Sequence, residues 1–101
     1  MNEVYELAAL AEVLEDCEKV ERDWVEKMKE QIRGNILAGK PLCFEWLREK
    51  KFKGKRLFFV VNTEKKKALL IAFGPKHAQQ RIINYIIKHK EYYFSLLNGL
   101  S

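Results

Sequence analysis

The sequence predicts a small α/β (α+β) domain with one or two helices, an antiparallel three-stranded β-sheet segment and a long C-terminal helix. Two short apolar runs, Leu57 to Val61 and Ala68 to Phe73, flank a polar turn and have the length of buried strands in a hairpin. Apolar residues recur at three- and four-residue steps from Ala11 to about Gly34. A second apolar stripe runs from Ala78 to Gly99, which predicts the long C-terminal helix.

The first residues are compatible with two structures. Polar and apolar residues alternate from Glu3 to Leu7, which is typical of a strand, whereas Leu7 to Ala11 could equally begin a helix. A strand from about Asn2 to Leu7 would have to pair with the later sheet, and a helix would only have to lie on it. The residues alone leave both possibilities open.

The segment from Ala11 to about Gly34 is either one long amphipathic helix or two short ones. Asp16 or Asp23 could cap a break near residues 17–19, although neither Gly nor Pro marks one. Gly34 is a helix stop, because Gly adopts the left-handed conformation at no steric cost. The number of helices therefore stays open, while their end is predicted.

A third strand is expected in front of the hairpin. Pro41 fixes the chain as extended and lacks an amide proton, so it suits the start of an edge strand. Aromatic and charged residues then alternate, which predicts a strand with one solvated face. The aromatic residues are Phe44, Trp46 and Phe52, and the charged ones are Glu45, Arg48, Glu49 and Lys50.

Length and composition bound the class of protein. The 101 residues, 48% of them hydrophobic, are enough for one core, so residues 1–101 are expected to form a single domain. The longest apolar runs are far shorter than the roughly 20 residues that cross a bilayer, and no signal-peptide pattern is present. We therefore expect a cytoplasmic protein that does not contact a membrane.

The number and spacing of the Cys and His residues do not predict a metal site. Cys17 and Cys43 lack paired spacing, and His77 and His89 are too far apart in sequence to complete a site. Both cysteines are expected to be small buried hydrophobic residues. The sequence thus predicts a protein without metal or cofactor.

Charge is distributed unevenly along the chain. Residues 1–39 hold ten acidic and five basic side chains, a net charge of −5, and residues 40–101 hold fourteen basic and four acidic ones, a net charge of +10. A solvated lysine-rich surface is the alternative explanation. Because the basic residues cluster between the predicted strands, we favour a surface that binds a polyanion.

Three segments in order form a recognisable pattern: Gly39-Lys40-Pro41-Leu42, then Gly54-Lys55-Arg56 opening an apolar strand, then Gly74-Pro75-Lys76-His77 followed by Gln79-Gln80. This order resembles the RelE/ParE superfamily of toxins from toxin–antitoxin modules, and the resemblance covers roughly residues 1–88. It implies a RelE-like domain with an N-terminal strand, two helices and an antiparallel run of strands. It therefore favours the strand for the first residues.

The resemblance also implies an activity. Many members cut messenger RNA on the ribosome without metal, by driving a ribose 2′-hydroxyl onto the neighbouring phosphate, and a cognate antitoxin protein holds them inactive. Arg56 matches the strand arginine that contacts the scissile phosphate, and Lys76 falls at the basic position after the Gly. His77 is expected to supply an acid or base. The RNA-binding residues are expected to be Arg48, Lys50, Lys53, Lys55 and Arg81.

One departure from the family pattern keeps a second hypothesis open. The tyrosine that many active members carry downstream of that Gly is missing, and its position falls near Ile82. The alternative is a catalytically silent relative, either a gyrase poison or a regulator that binds RNA or protein. In that case Arg56 could simply pair with a carboxylate of the acidic N-terminal half.

Overall fold

The computed structural model describes residues 1–99, in which helices cover both faces of a five-stranded mixed sheet. The strands are β1 (Glu3–Glu6), β2 (Lys40–Leu42), β3 (Phe44–Phe52), β4 (Lys55–Asn62) and β5 (Lys67–Pro75). The helices are α1 (Ala8–Glu15), α2 (Lys19–Gly34), α3 (Gln79–Lys88) and α4 (Lys90–Gly99), with one 3-10 turn (Lys76–Ala78) before α3. The predicted α+β class is confirmed.

The sheet order is β1-β5-β4-β3-β2. The predicted three-stranded segment corresponds to β3, β4 and β5, which pair antiparallel, and β2 extends it at one edge. At the other edge β1 pairs parallel with Lys67–Leu70 of β5, so the N-terminal strand is confirmed. The Lys29 ammonium lies 2.7 Å from the Glu6 carboxylate and ties α2 to this strand.

Two helices, not one, precede the sheet. The chain breaks after α1, and Glu18 caps α2 through a capping box in which Glu18 and Glu21 each bind the other's backbone N–H. Neither aspartate that the sequence offered is the cap, because Glu18 takes that position although it is not a preferred N-cap type. The predicted end of α2 at Gly34 is confirmed, but the left-handed conformation expected there is wrong, because the chain leaves the helix through Asn35 in an extended conformation.

The prediction of one long C-terminal helix is wrong, because the chain bends at His89. The His89 N–H still bonds the carbonyls of Tyr85 and Ile86, which closes α3 before α4 begins. The bend brings Tyr93 and Leu97 of α4 onto the apolar cluster formed with residues of α3. Apolar residues continue on both sides of the bend and neither Gly nor Pro marks it, so the sequence pattern conceals it.

The core is divided by the sheet into two apolar clusters. Leu57, Phe59 and Val61 of β4 face α1 and α2. Phe58 and Val60 face α3 and α4. Because side chains alternate along a strand, the same period places Lys55 on the α2 face and Arg56 on the α3 face.

Two expectations about exposure are wrong. Arg48 and Glu49 of β3 are 5% and 2% exposed, so the strand has no solvated face at this point. Cys43 is exposed in the turn between β2 and β3, where it adopts a positive φ of 64°, and Cys17 is half-buried.

Within residues 1–99, no helix is long and apolar enough to span a membrane. The same residues contain no group of three or more His, Cys, Asp or Glu that could hold a metal ion.

Candidate functional site

Basic side chains gather where β3 turns into β4 and β5 runs into α3. The Lys76 N–H donates to the Gly54 carbonyl at 2.8 Å, which joins the turn after β5 to the turn between β3 and β4. Lys53 adopts a positive φ of 54° in that turn. We call the surface formed by the exposed side chains of Lys51, Lys53, Lys76 and His77 the basic end.

Arg56 lies beside the basic end but is 7% exposed. Its Nη1 donates to the carbonyls of Lys53 and Lys55 at 3.3 and 3.1 Å. Its neighbour in β5 is Gly74, where an added Cβ would lie 3.1 Å from the Ile82 side chain of α3. The close approach of α3 at this glycine covers the arginine.

Glu49 is the carboxylate that accompanies Arg56. It lies on the α3 face of β3, with Oε1 3.8 Å from Arg56 Nε, and it comes from the basic half of the chain. The Gln79 amide, at the first residue of α3, donates to the two Glu49 oxygens at 2.8 and 3.2 Å. Sequence reasoning missed Glu49 as a site residue; the available signal was an acid between Arg48 and Lys50 in a basic segment.

Arg48 is on the opposite face, where backbone carbonyls and the Glu45 carboxylate, 3.3 Å from its Nη1, bind the guanidinium. Its Nε and Nη2 donate to the carbonyls of Ala38, Leu37 and Gly39 at 3.1, 2.9 and 3.0 Å. Its Nη1 donates to the Glu45 carbonyl at 3.0 Å. The assignment of Arg48 to RNA binding therefore loses its support, since burial and these bonds give the side chain a structural role.

The backbone segment that binds Arg48 requires a glycine at position 39. Gly39 adopts a φ of 85°, and a Cβ there would lie 2.7 Å from the Glu49 carbonyl. Only Gly fits both the backbone conformation and the close approach. The Gly-Lys-Pro-Leu segment thus packs against β3 and presents its carbonyls to Arg48.

The remaining predicted RNA-binding residues are split between two faces. Lys55 lies on the α2 face, 2.7 Å from the Glu21 carboxylate. That hydrogen bond raises the pKa of Lys55 and lowers the pKa of Glu21. Lys50 is on the same face, in a groove of about 340 Å³ that Trp24 and Lys40 also line. Of Lys50, Lys53 and Lys55, only Lys53 belongs to the basic end.

Arg81 lies on another flank of α3. It is exposed and lines an apolar cavity of about 390 Å³ near the β1 edge of the sheet, together with Leu7, Ile71 and Tyr85. The structure therefore brings together Arg56, Lys76, His77 and Lys53, and it does not bring Arg48, Lys50, Lys55 or Arg81 to them. Chemically, the basic end can bind an anionic chain, and Arg56 lies beside it with the Glu49 carboxylate 3.8 Å from its Nε.

The helices, the parallel N-terminal strand and the antiparallel strands define a small α+β domain with a cationic end. Three solved structures from E. coli have a similar fold. An arginine-to-alanine mutant of the toxin RelE, in complex with a peptide of the antitoxin RelBc, has a TM-score of 0.66 and 15% identity over 80% of this chain and 93% of that chain. The intact RelBE toxin–antitoxin complex has a TM-score of 0.64 and 18% identity, over 74% of this chain and 96% of that chain.

The isolated E. coli RelE toxin is similar at a TM-score of 0.63 and 18% identity, over 81% of this chain and 99% of that chain. By sequence, no family model and no curated protein matches the chain. The chain has the RelE-like fold, as the order of its motifs predicted.

Proposed function

We propose that this protein is the toxin of a type II toxin–antitoxin module and that it acts on messenger RNA at the ribosome as a metal-independent endonuclease. The observation that supports the proposal is a RelE-like fold with four exposed side chains, Lys51, Lys53, Lys76 and His77, grouped beside Arg56. A cluster of cations at one end of a small domain suits the closely spaced phosphates of RNA.

A cognate antitoxin is the protein partner in this proposal. Two of the similar structures are complexes of RelE with its antitoxin or with an antitoxin peptide. An acidic segment of an antitoxin would complement the basic end and exclude RNA from it. The same surface would then bind either the partner or the substrate.

In this reaction the 2′-oxygen bonds to phosphorus while the bond from phosphorus to the 5′ oxygen breaks. The chemistry therefore requires a cation on the phosphate, a base that takes the 2′-hydroxyl proton and an acid that protonates the leaving 5′ oxygen. Arg56 would stabilise the charge that develops on the phosphate, and Lys76 would add a second cation. His77 is the residue at the basic end that would give or accept the proton. In this arrangement Arg56 acts only after a phosphate has taken the position of the Glu49 carboxylate.

One observation favours a second candidate, a relative that binds without cutting. Arg56 is buried and ion-paired, and the position of the missing tyrosine holds Ile82, whose side chain packs beside Gly74. A protein of this kind would poison gyrase or bind RNA or protein through its basic end. The two candidates differ in whether messenger RNA is cut.

Induced expression in bacterial cells, with primer extension on messenger RNA, tests the proposal. We expect wild-type protein to arrest growth and to produce cuts within codons. The double variant Lys76→Ala/His77→Ala should lose both effects. The matched control, Lys65→Ala/Lys66→Ala in the exposed turn between β4 and β5, should keep them. Arrest with intact messages and damaged DNA would favour the gyrase candidate, and normal growth would contradict a toxin of either kind and leave a relative that only binds RNA or protein.

A further inference from the structure

An ion pair lies inside the molecule at the point where the proposed function needs a phosphate. Glu49 and Arg56 are both more than nine-tenths buried, and their closest atoms are 3.8 Å apart. A well-formed hydrogen bond between a guanidinium and a carboxylate is about 2.7–2.9 Å long. Arg56 Nε is buried and makes no hydrogen bond within the described residues. The guanidinium therefore has a donor that its carboxylate neighbour leaves unused.

Gln79 determines where the Glu49 carboxylate lies. Its amide bonds to both Glu49 oxygens, and Gln79 is the first residue of α3. The carboxylate is thus shared between the start of a helix and a guanidinium. Glu49 cannot approach Arg56 more closely without weakening its bonds to Gln79.

A phosphodiester group carries the same kind of ligand atoms as a carboxylate. Its anionic oxygens accept hydrogen bonds from a guanidinium, and two of them can bind two N–H groups at once. The basic end would hold an RNA backbone next to this position, because Lys51 is the cross-strand neighbour of Arg56 and Lys53 precedes it in the turn. A phosphate there would satisfy the unused Nε–H.

We propose that the Glu49 carboxylate competes with RNA phosphate for Arg56, and that Gln79 holds this competitor in place. The inference rests on the proposed function, because it concerns the regulation of the same site. In the free protein Glu49 keeps Arg56 from the substrate. When RNA binds strongly enough through the exposed lysines, a phosphate replaces the carboxylate and the start of α3 releases it.

The inference predicts a gain of affinity from removing one negative charge. Glu49→Gln keeps the shape of the side chain and its ability to accept a bond from Gln79, but it no longer attracts Arg56. In wild-type protein Arg56 should contribute little to RNA affinity. In the Glu49→Gln variant it should become an additional phosphate contact.

Fluorescence anisotropy with a labelled single-stranded RNA of about twelve nucleotides tests this expectation, since such a length is within the roughly 4–16 nucleotides that one small domain covers. We expect Glu49→Gln to bind about tenfold more tightly than wild type, as one added charge-assisted contact allows. Its salt dependence should steepen by about 0.7 in slope for the extra phosphate. The double variant Glu49→Gln/Arg56→Ala should lose the gain. The control Glu64→Gln changes an exposed carboxylate in the turn between β4 and β5 and should leave the slope unchanged.

Nitrogen-15 NMR of the Arg56 Nε–H gives a measurement that does not involve RNA. Exchange of this proton with water should be slow in wild-type protein and at least about tenfold faster in Glu49→Gln, because a buried charge without its counter-ion turns toward solvent. Gln79→Ala provides a second variant if Glu49→Gln does not fold. It frees the Glu49 carboxylate to approach Arg56, so it should slow exchange and weaken RNA binding, the opposite direction from Glu49→Gln.

The outcomes separate the two proposals. Equal RNA affinity and equal proton exchange for wild type and Glu49→Gln would overturn the inference and leave the proposed function standing, since the lysines would still bind RNA. If no variant binds RNA, phosphate is not the ligand and both proposals fail on that point.

Discussion

Each face of the sheet holds one buried arginine, and the two differ in how many of their N–H groups the protein binds. Arg48, on the α2 face, donates to four backbone carbonyls and is saturated by the protein. Arg56, on the α3 face, donates to two carbonyls and keeps an unpaired Nε–H beside a carboxylate that another residue also binds. Both are buried to the same degree. The number of unsatisfied donors, not burial, distinguishes a structural arginine from one that can bind a ligand.

The helices on the two faces are also attached differently. On the α2 face, Lys29 with Glu6 and Lys55 with Glu21 connect the helix to the sheet at both ends. On the α3 face, Gln79 connects the start of α3 to Glu49, and the Asn62 amide of β4 donates to Asn98 of α4 at 2.9 Å, with an apolar cluster between them. The polar connection of α3 itself therefore coincides with the candidate site.

The largest expected effect compares the two apolar clusters. Ile32 of α2 and Ile86 of α3 are each 0% exposed, on opposite faces. Replacing either with Ala should lower the free energy of unfolding by about 2–5 kcal/mol, because each leaves a cavity in a packed core. Urea denaturation of both variants measures this. An unchanged stability for Ile86→Ala alone would show that α3 does not pack permanently on the sheet.

Arg48→Ala should have the next largest effect. The carbonyls that Arg48 binds would lose their donor, which costs about 1–3 kcal/mol for a buried group left unsatisfied. Urea denaturation gives the loss of stability, and anisotropy below the melting temperature should show unchanged RNA affinity. If the variant is as stable as wild type but binds RNA more weakly, Arg48 is an RNA contact and not a structural residue.

Smaller effects are expected for single lysines of the basic end. Lys53→Gln should weaken RNA binding and reduce the slope of log affinity against log salt by about 0.7, the value for one phosphate contact to a single strand. Lys65→Gln, at the opposite end of β4, serves as the control and should change neither quantity. Equal losses for the two variants would indicate a diffuse electrostatic attraction instead of a site.

The smallest effect concerns the pH dependence of the Lys55 and Glu21 pair on the α2 face. The hydrogen bond from Lys55 lowers the pKa of Glu21, so the pair stabilises the fold above the unfolded pKa of Glu, about 4.3, and this contribution is lost as the pH falls through the folded pKa. Lys55→Met should therefore be less stable than wild type at neutral pH, and the difference should shrink in acid. A difference in urea midpoints that does not change with pH would contradict this.

Local signals account for the parts of the fold that the sequence predicted. The hairpin, the end of α2 at Gly34 and the α+β class follow from residue periodicity and a helix stop. The bend at His89 could not be read, because the apolar stripe continues through it. The burial of Arg48 depends on backbone carbonyls about 10 residues earlier in the chain, and the burial of Glu49 depends on Gln79, which lies 30 residues later. Strand alternation places Lys55 and Arg56 on opposite faces. The partners that each side chain meets there, Glu21 and Glu49, come from tertiary packing.

Cleavage of messenger RNA by purified protein on programmed ribosomes tests the central claim, that Arg56 and the basic end form one catalytic site. We expect wild type to cut and Arg56→Ala to lose cleavage while circular dichroism shows a retained fold. His77→Ala should slow cleavage by roughly 10²–10⁴-fold, the usual contribution of an acid or base. Equal rates for the three proteins, or no cleavage by wild type, would contradict the claim and leave the basic end as a binding surface alone.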